Sequence, residues 1–134
     1  MGAIQRTIDI LKPDVLIEGE CRGADSIARD YAFLCFIPVE PYPADWDGLG
    51  KKAGPIRNRR MLDEGHPDVV VGFAKDLPRS IGTMGMLSLA ESRGINCIHH
   101  DGAKVAWIGH TEGGVRSDIW LRCGNLFDKE NNRD

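Results

Sequence analysis

Short apolar runs alternate along the chain with segments whose apolar residues recur every three or four positions. Short apolar runs bounded by glycine or proline are typical of buried strands, and the wider spacing is typical of helices that pack on one face. The pattern predicts strands at residues 14–18, 37–43, 69–73 and 95–99. It predicts helices at residues 4–11, 27–35, 55–65 and 80–91.

Strands that alternate with helices pair in parallel through crossover connections. The repeat therefore predicts an α/β fold, a Rossmann-like three-layer domain with a mostly parallel sheet, over residues 1–102. Prolines place residues 37–43 at an edge or shorten that strand, and residues 44–54 are predicted to form a long exposed loop.

The pattern changes after residue 102. Two short strands are predicted at residues 104–108 and 119–121, followed by a polar tail at residues 125–134. Residues 103–134 are therefore predicted to form a C-terminal hairpin or arm. Its tryptophans either cover a sheet edge of the same domain or join a dimer.

Residues 68–94 carry the clearest strand, loop and helix pattern. The β-branched run at 69–73 is typical of a strand buried on both faces. Ligands bind at the carboxyl ends of parallel strands, where free amides and the helix dipole favour an anion. Ser80, Gly82 and Thr83 at the helix start are therefore candidate ligand-binding residues in a phosphate-binding loop. An ordinary βα turn is the alternative.

A second candidate loop follows residues 14–18. Gly19 and Gly23 supply a flexible turn at the strand end. Arg22 adds a guanidinium, whose fork matches the geometry of a phosphate. Asp25 stands near the helix start, where it either caps the helix or holds a ribose hydroxyl. All four are candidate ligand-binding residues.

The helix predicted from Pro55 begins with a cluster of cations. Cations are mildly unfavourable near a helix N-terminus, so the cluster suggests a bound anion or acidic partners. Arg57 and Asn58 are the preferred ligand-binding candidates. A solvated helix face is the interpretation preferred for Arg59 or Arg60.

The segment before this helix adds an aromatic ring and two carboxylates. Trp46 either stacks on a base or packs its own loop. Asp45 and Asp47 are candidates to accept hydrogen bonds from a ribose or a base edge.

Composition limits the function. The 134 residues are 42% hydrophobic and 28% charged, which fits one core. A formal net charge of −3 argues against a general nucleic-acid binder. We expect a cytosolic protein without a membrane span or signal peptide, because no apolar run approaches the roughly 18 residues that a span needs.

Cysteine and histidine spacing favours neither disulfides nor a metal. The cysteines lack CxxC pairs or zinc-like spacing, so we expect reduced, mostly packed thiols. His99 and His100 are neighbours on a predicted strand and should point to opposite faces. We therefore expect no metal site and no cofactor. The four cysteines are Cys21, Cys35, Cys97 and Cys123.

Four ordered motifs resemble the SLOG superfamily, the Rossmann-like group that joins DNA-processing protein A with the Lonely Guy phosphoribohydrolases. They are RGAD at residues 22–25, PADW at 43–46, GPIRNR at 54–59 and the GT pair at 82–83. The similarity covers about residues 14–100 and is greatest to short phage- or plasmid-borne members. It implies binding of a nucleotide or nucleotide-derived ligand at the strand carboxyl ends.

The resemblance has three departures. Lonely Guy enzymes use an arginine four residues before a methionine, which Arg57 and Met61 resemble, and a PGGxGTxxE loop. The paired glycines of that loop are replaced here by Arg79 and Ser80. The position of its glutamate is Met86, and a thioether cannot do acid-base work. Members also begin with a strand, whereas residues 4–11 predict a helix, so we expect a domain without the usual first strand.

Three functions remain open. The first is a homo-oligomeric protein that senses or sequesters a nucleotide, with phage–host nucleotide signalling as its setting. The second is a hydrolase of nucleotide N-glycosidic bonds, with Asp25, Asp45 or Asp47 as the catalytic carboxylate. The third is a DNA-binding or scaffold protein, which the acidic balance disfavours.

Overall fold

The computed structural model of the chain describes residues 2–102 and 105–107. Over these residues the chain divides into two units, residues 2–67 and residue 68 onward. Each unit contains a parallel strand pair joined through a helix, which confirms the predicted α/β fold. The helices are α1 (Ala3–Leu11), α2 (Ala24–Leu34), α3 (Trp46–Leu49), α4 (Ala53–Gly65) and α5 (Ile81–Ser92). The strands are β1 (Leu16–Glu18), β2 (Val39–Pro41), β3 (Val69–Phe73), β4 (Asn96–His100) and β5 (Val105–Trp107).

The described strands form two sheets. In the first unit β1 pairs with β2 in parallel, from Leu16 opposite Val39 to Glu18 opposite Pro41. The predicted shortness of β2 is confirmed, because the strand ends at a proline that cannot donate to a ladder. The other sheet has the order β3-β4-β5.

Helices α1 and α2 pack on each other in the first unit. Helix α1 buries Ile8 and Ile10, and it ends where Lys12 enters the left-handed region before Pro13. The Tyr31 hydroxyl donates to Asp9 Oδ1 at 2.8 Å, which ties α2 to α1. This hydrogen bond raises the pKa of Tyr31 to about 12.

The prediction of a long loop at residues 44–54 is wrong. Helix α3 is followed directly by a 3₁₀ turn, Gly50–Lys52, and then by α4. Asp45 is the N-cap residue of α3, and its Oδ1 accepts a hydrogen bond from the Gly48 amide at 2.9 Å. The glycines suggested a loop, but this cap starts a helix. Helix α4 consequently begins before Pro55, which still lies in its first turn.

In the second unit β3 and β4 pair in parallel and α5 joins them. The core includes Cys97 and Ile98 of β4 and Leu87 of α5. β5 pairs antiparallel with β4, so the strand predicted at residues 104–108 is confirmed within Val105–Trp107.

The predicted domain division at residues 102 and 103 stays a prediction. The other features predicted for the C-terminal arm, the strand at residues 119–121 and the tail at residues 125–134, lie outside the described residues. Among the residues that the structure does describe, no helix is long and apolar enough to cross a membrane.

A close approach between β3 and α5 gives the first prediction. An added Cβ on Gly72 would lie 2.8 Å from Thr83 Cγ2 and 2.9 Å from Leu87 Cδ1. We expect Gly72→Ala to lower the free energy of unfolding by about 1–3 kcal/mol, because the packed side chains must move apart. Chemical denaturation followed by circular dichroism measures this change.

The matched control is Gly85→Ala on α5, where an added Cβ meets nothing within 4 Å. Alanine favours a helix over glycine by about 1 kcal/mol, so this variant should be as stable as the parent or more stable. Equal losses in the two variants would contradict the close approach.

Candidate functional site

The loop after β1 is held by carboxylates of the chain itself. The Gly19 and Cys21 amides each donate to Asp25 Oδ2 at 3.2 Å. The Glu20 amide donates to Glu18 Oε2. Three consecutive backbone N–H groups are therefore already bonded, and a phosphate at this loop must use other donors.

Asp25 does not cap α2, so the capping interpretation is wrong. Gly23 is the N-cap residue and provides no side-chain hydrogen bond, and its φ of 85° favours glycine. Asp25 lies in the first turn of α2, and its carboxylate accepts hydrogen bonds from two amides of the loop that precedes the helix. Arg22 is exposed.

Arg57 crosses from α4 to the end of β1. Its side chain is buried, with only 9% of the residue exposed. Nη1 donates to the Gly19 carbonyl oxygen at 2.6 Å and to Cys21 Sγ at 3.4 Å. Nε donates to Asn58 Oδ1 at 2.9 Å, so the neighbouring amide orients the guanidinium. Three residues, Gly19, Cys21 and Asn58, thus accept hydrogen bonds from one guanidinium.

Gly19 leaves room for this contact. An added Cβ at Gly19 would lie 2.6 Å from Arg57 Nη1 and 2.9 Å from Cζ, so the end of the arginine side chain would have to shift. The sequence indicated a flexible turn at this position, but the φ of Gly19 is not in the positive range. The small size of glycine is therefore what the contact uses.

The Arg57 guanidinium forms no ion pair with an Asp or Glu of the described residues. Arg60, on the same helix, contrasts with it, because Arg60 Nε lies 2.8 Å from Glu64 Oε2. Asp25 accepts a hydrogen bond from the Gly19 N–H, and Arg57 donates one to the Gly19 carbonyl oxygen. The two side chains therefore lie on either side of Gly19 and do not pair with each other. Buried charges normally have a partner of opposite sign.

Glu18 is a buried acid that sequence analysis missed. It is 2% exposed, and its Oε1 has no hydrogen-bond partner. Burial raises the pKa of the Glu18 carboxyl above its ordinary value, and the negative charges of Asp25 and Glu20 add to the rise. The Glu20 amide opposes it. The sequence did contain a signal for this residue, because Glu18 is a carboxylate at the end of an apolar strand and directly precedes a glycine.

Trp46, the aromatic ligand-binding candidate, lies against the start of α4. An added Cβ on Gly54 would be 3.2 Å from Trp46 Cη2, so the ring packs on the first turn of that helix. Trp46 nevertheless stays 54% exposed. Asp45 is occupied as the α3 cap, whereas Asp47 is exposed in the first turn of α3.

The remaining candidates belong to the second unit, at the start of α5. Ser80 Oγ donates to the Asp76 carbonyl oxygen at 3.0 Å and gives no cap to the helix. Gly82 is exposed, and an added Cβ there would meet nothing within 4 Å. The Thr83 methyl group lies against Gly72 of β3.

The described histidines and cysteine of the second unit have structural partners. His99 Nε2 lies 2.7 Å from the Ala74 carbonyl oxygen, whereas the buried His100 ring stacks on Phe73. Burial raises the pKa of the Cys97 thiol to about 11, so it stays protonated at neutral pH. In the part of the chain that the structure describes, no three His, Cys, Asp or Glu side chains are grouped to hold a metal.

These features define an α/β protein with two βαβ units and a buried arginine at the end of its first strand. The chain is 38% identical over 90 residues to the Gene 61 protein of Mycobacterium phage D29. The match covers 63% of this chain and 70% of the phage protein, and the chain belongs to the family of that protein. No protein-family model and no solved structure matches the chain.

The buried Glu18 gives a prediction of pH dependence. A raised pKa in the folded state means that this carboxyl contributes most to stability below its unfolded pKa, and that the contribution is lost as pH rises through the folded pKa. Glu18→Gln removes this ionisation. We expect the melting temperature of Glu18→Gln, relative to the parent, to increase as pH rises above 4.5, the ordinary pKa of a glutamate.

Glu40→Gln is the matched control, because Glu40 is exposed on the neighbouring strand β2 and is not among the groups that shift the pKa of Glu18. Its melting temperature should follow that of the parent across the same pH range. A difference between Glu18→Gln and the parent that does not change with pH would contradict the assignment.

Proposed function

We propose that the chain binds a nucleotide or nucleotide-derived small molecule at the carboxyl end of β1, and that it senses or sequesters this ligand. The observation that carries the proposal is the buried Arg57 guanidinium, which has no acidic partner among the described residues. An anionic ligand would supply the missing counter-charge.

The hydrogen bonds of Arg57 support a phosphate or carboxylate as the group bound. Nη1 and Nε are used by the loop and by Asn58. Nη2 donates to no acceptor in the described part of the chain, and it is not enclosed as an unsatisfied buried atom. One edge of a positioned guanidinium therefore remains to bind an anion.

Trp46 supports a ligand that also carries a base. Its ring is fixed against the first turn of α4, the helix that carries Arg57, and half of its surface is exposed. Stacking of a base on an aromatic ring contributes about 1–3 kcal/mol. We assign Trp46 to the base and Arg57 to the anionic group of one ligand.

The proposal includes membership of the SLOG superfamily and its Rossmann-like three-layer arrangement. The four ordered motifs and the two βαβ units support it. Ser80, Gly82 and Thr83 remain proposed ligand-binding residues at the start of α5. The relative is a phage protein, and we extend the proposal to a role in phage–host nucleotide signalling.

Binding without turnover is the function that we propose. Asp25 and Asp45 accept hydrogen bonds from backbone amides, so each has a role in the local structure. Met86 stands where Lonely Guy enzymes have a glutamate. The hydrolase alternative would therefore depend on the exposed Asp47 or on a displaced aspartate.

Arg57→Ala tests the proposal in a thermal-shift screen of adenosine and guanosine phosphates, ADP-ribose and cyclic dinucleotides. A ligand at a hundred times its Kd should stabilise the parent chain by about 2.7 kcal/mol. Loss of a charged hydrogen bond costs about 1.5–3 kcal/mol, so the Kd for this ligand should rise about tenfold or more in the variant.

Arg59→Ala is the matched control, because it removes the same charge from an exposed position on the same helix. Its Kd should equal that of the parent. Arg57→Lys keeps the charge without the fork and should bind with intermediate affinity. The proposal fails if no compound in the screen raises the melting temperature, or if Arg59→Ala weakens binding as much as Arg57→Ala.

A further inference from the structure

Helix α2 carries a row of large apolar side chains that face solvent. Ile27 and Leu34 lie on one face of the helix because they are seven residues apart, and Phe33 lies about 100° around the helix from Leu34. Phe33 is 79% exposed and Leu34 is 72% exposed. Just beyond the helix, Phe36 is 94% exposed. We name these four residues the α2 patch.

The backbone at Phe36 adds to the cost of this exposure. Its φ of 60° lies in the left-handed region, where helices usually end on glycine. A bulky residue in this conformation is disfavoured by about 1–2 kcal/mol. The chain therefore holds an exposed aromatic ring at a position where both its conformation and its hydration are unfavourable.

An apolar groove adjoins the α2 patch. Its volume is about 450 Å³, and it is lined by Ile8, Asp9, Lys12, Pro13, Cys35 and Ile37. Cys35 lies between Leu34 and Phe36 in the chain, so the ridge formed by the patch and the groove are neighbours. A surface that holds a ridge beside a groove can match a second copy of itself about a two-fold axis.

The patch also carries a positive and a negative side chain, which can pair with those of a second copy of the same surface. A shallower groove is lined by Arg29 and Asp30 together with Phe33 and Leu34. Arg29 Nε lies 3.5 Å from Asp30 Oδ1 within one copy, and the two side chains are 43% and 75% exposed. In a two-fold pair of α2 helices, these exposed neighbours can exchange partners, so that the arginine of each copy meets the aspartate of the other.

The available area is of the size that a dimer needs. Burying an aromatic side chain removes about 150–250 Å² from water, so four phenylalanines from two copies would bury about 600–1,000 Å². A standard protein interface buries about 1,200–2,000 Å² in total. Ile27, Leu34 and the lining of the groove would add to the aromatic area.

We propose that the α2 patch is the interface of a two-fold homodimer, in which the phenylalanine ridge of each copy enters the groove of the other and Arg29 pairs with Asp30 across the axis.

Sedimentation equilibrium of the full chain over a range of concentrations tests the interface. The parent should show the mass of a dimer at high concentration. Phe33→Asp should raise the dimer Kd about thirtyfold or more, the factor that corresponds to the loss of about 2 kcal/mol at an interface centre. Because Phe33 is exposed in the single copy, the melting temperature of the dissociated variant should stay close to that of the dissociated parent.

Ile81→Asp is the matched control, because Ile81 is an equally exposed apolar residue, at 83%, on α5. It should leave the Kd of dimerisation unchanged. Arg29→Asp and Asp30→Arg should each weaken the dimer, and the two changes combined should restore it.

A parent chain that stays monomeric at every concentration would overturn the proposal. So would a loss of dimer in Ile81→Asp as large as that in Phe33→Asp. Failure of the combined charge exchange to restore the dimer would overturn the two-fold pairing of Arg29 with Asp30.

Discussion

The first unit of the chain depends on the contact between the Arg57 guanidinium and the Gly19 carbonyl oxygen. This hydrogen bond joins residues that are 38 positions apart, and it attaches α4 to the carboxyl end of β1. Asn58 orients the guanidinium, and Asp25 holds the opposite side of the same glycine. The loop is thus fixed at both its donor and its acceptor groups. A binding site formed at this strand end would be largely ordered before any ligand arrives.

Hydrophobic periodicity predicted most of the elements because it depends on local burial. The strands β3 and β4 and the helix α5 have apolar patterns that only one kind of element can bury well. Residues 44–54 were mispredicted because three glycines outweighed a single capping aspartate, Asp45. Periodicity also says nothing about which strands share a ladder, so the division into two hydrogen-bonded sheets could not be predicted.

Most residues of the candidate site could be predicted from the sequence, whereas most of their roles could not. Gly19, Asp25, Arg57 and Asn58 were all candidates, and the structure connects them through hydrogen bonds. Their partners depend on how far a side chain reaches across the fold, which spacing along the chain does not encode. For the same reason Glu18 was missed, because a carboxyl at the end of an apolar strand is exposed or buried according to what packs around it.

The close contact at Gly19 also couples two positions that lie far apart in the chain. A Cβ added at position 19 would overlap the end of the Arg57 side chain. A larger residue at position 19 would therefore have to displace the guanidinium from the loop, and the cost of that change would depend on which residue stands at position 57. The effects of substitutions at the two positions should accordingly be non-additive.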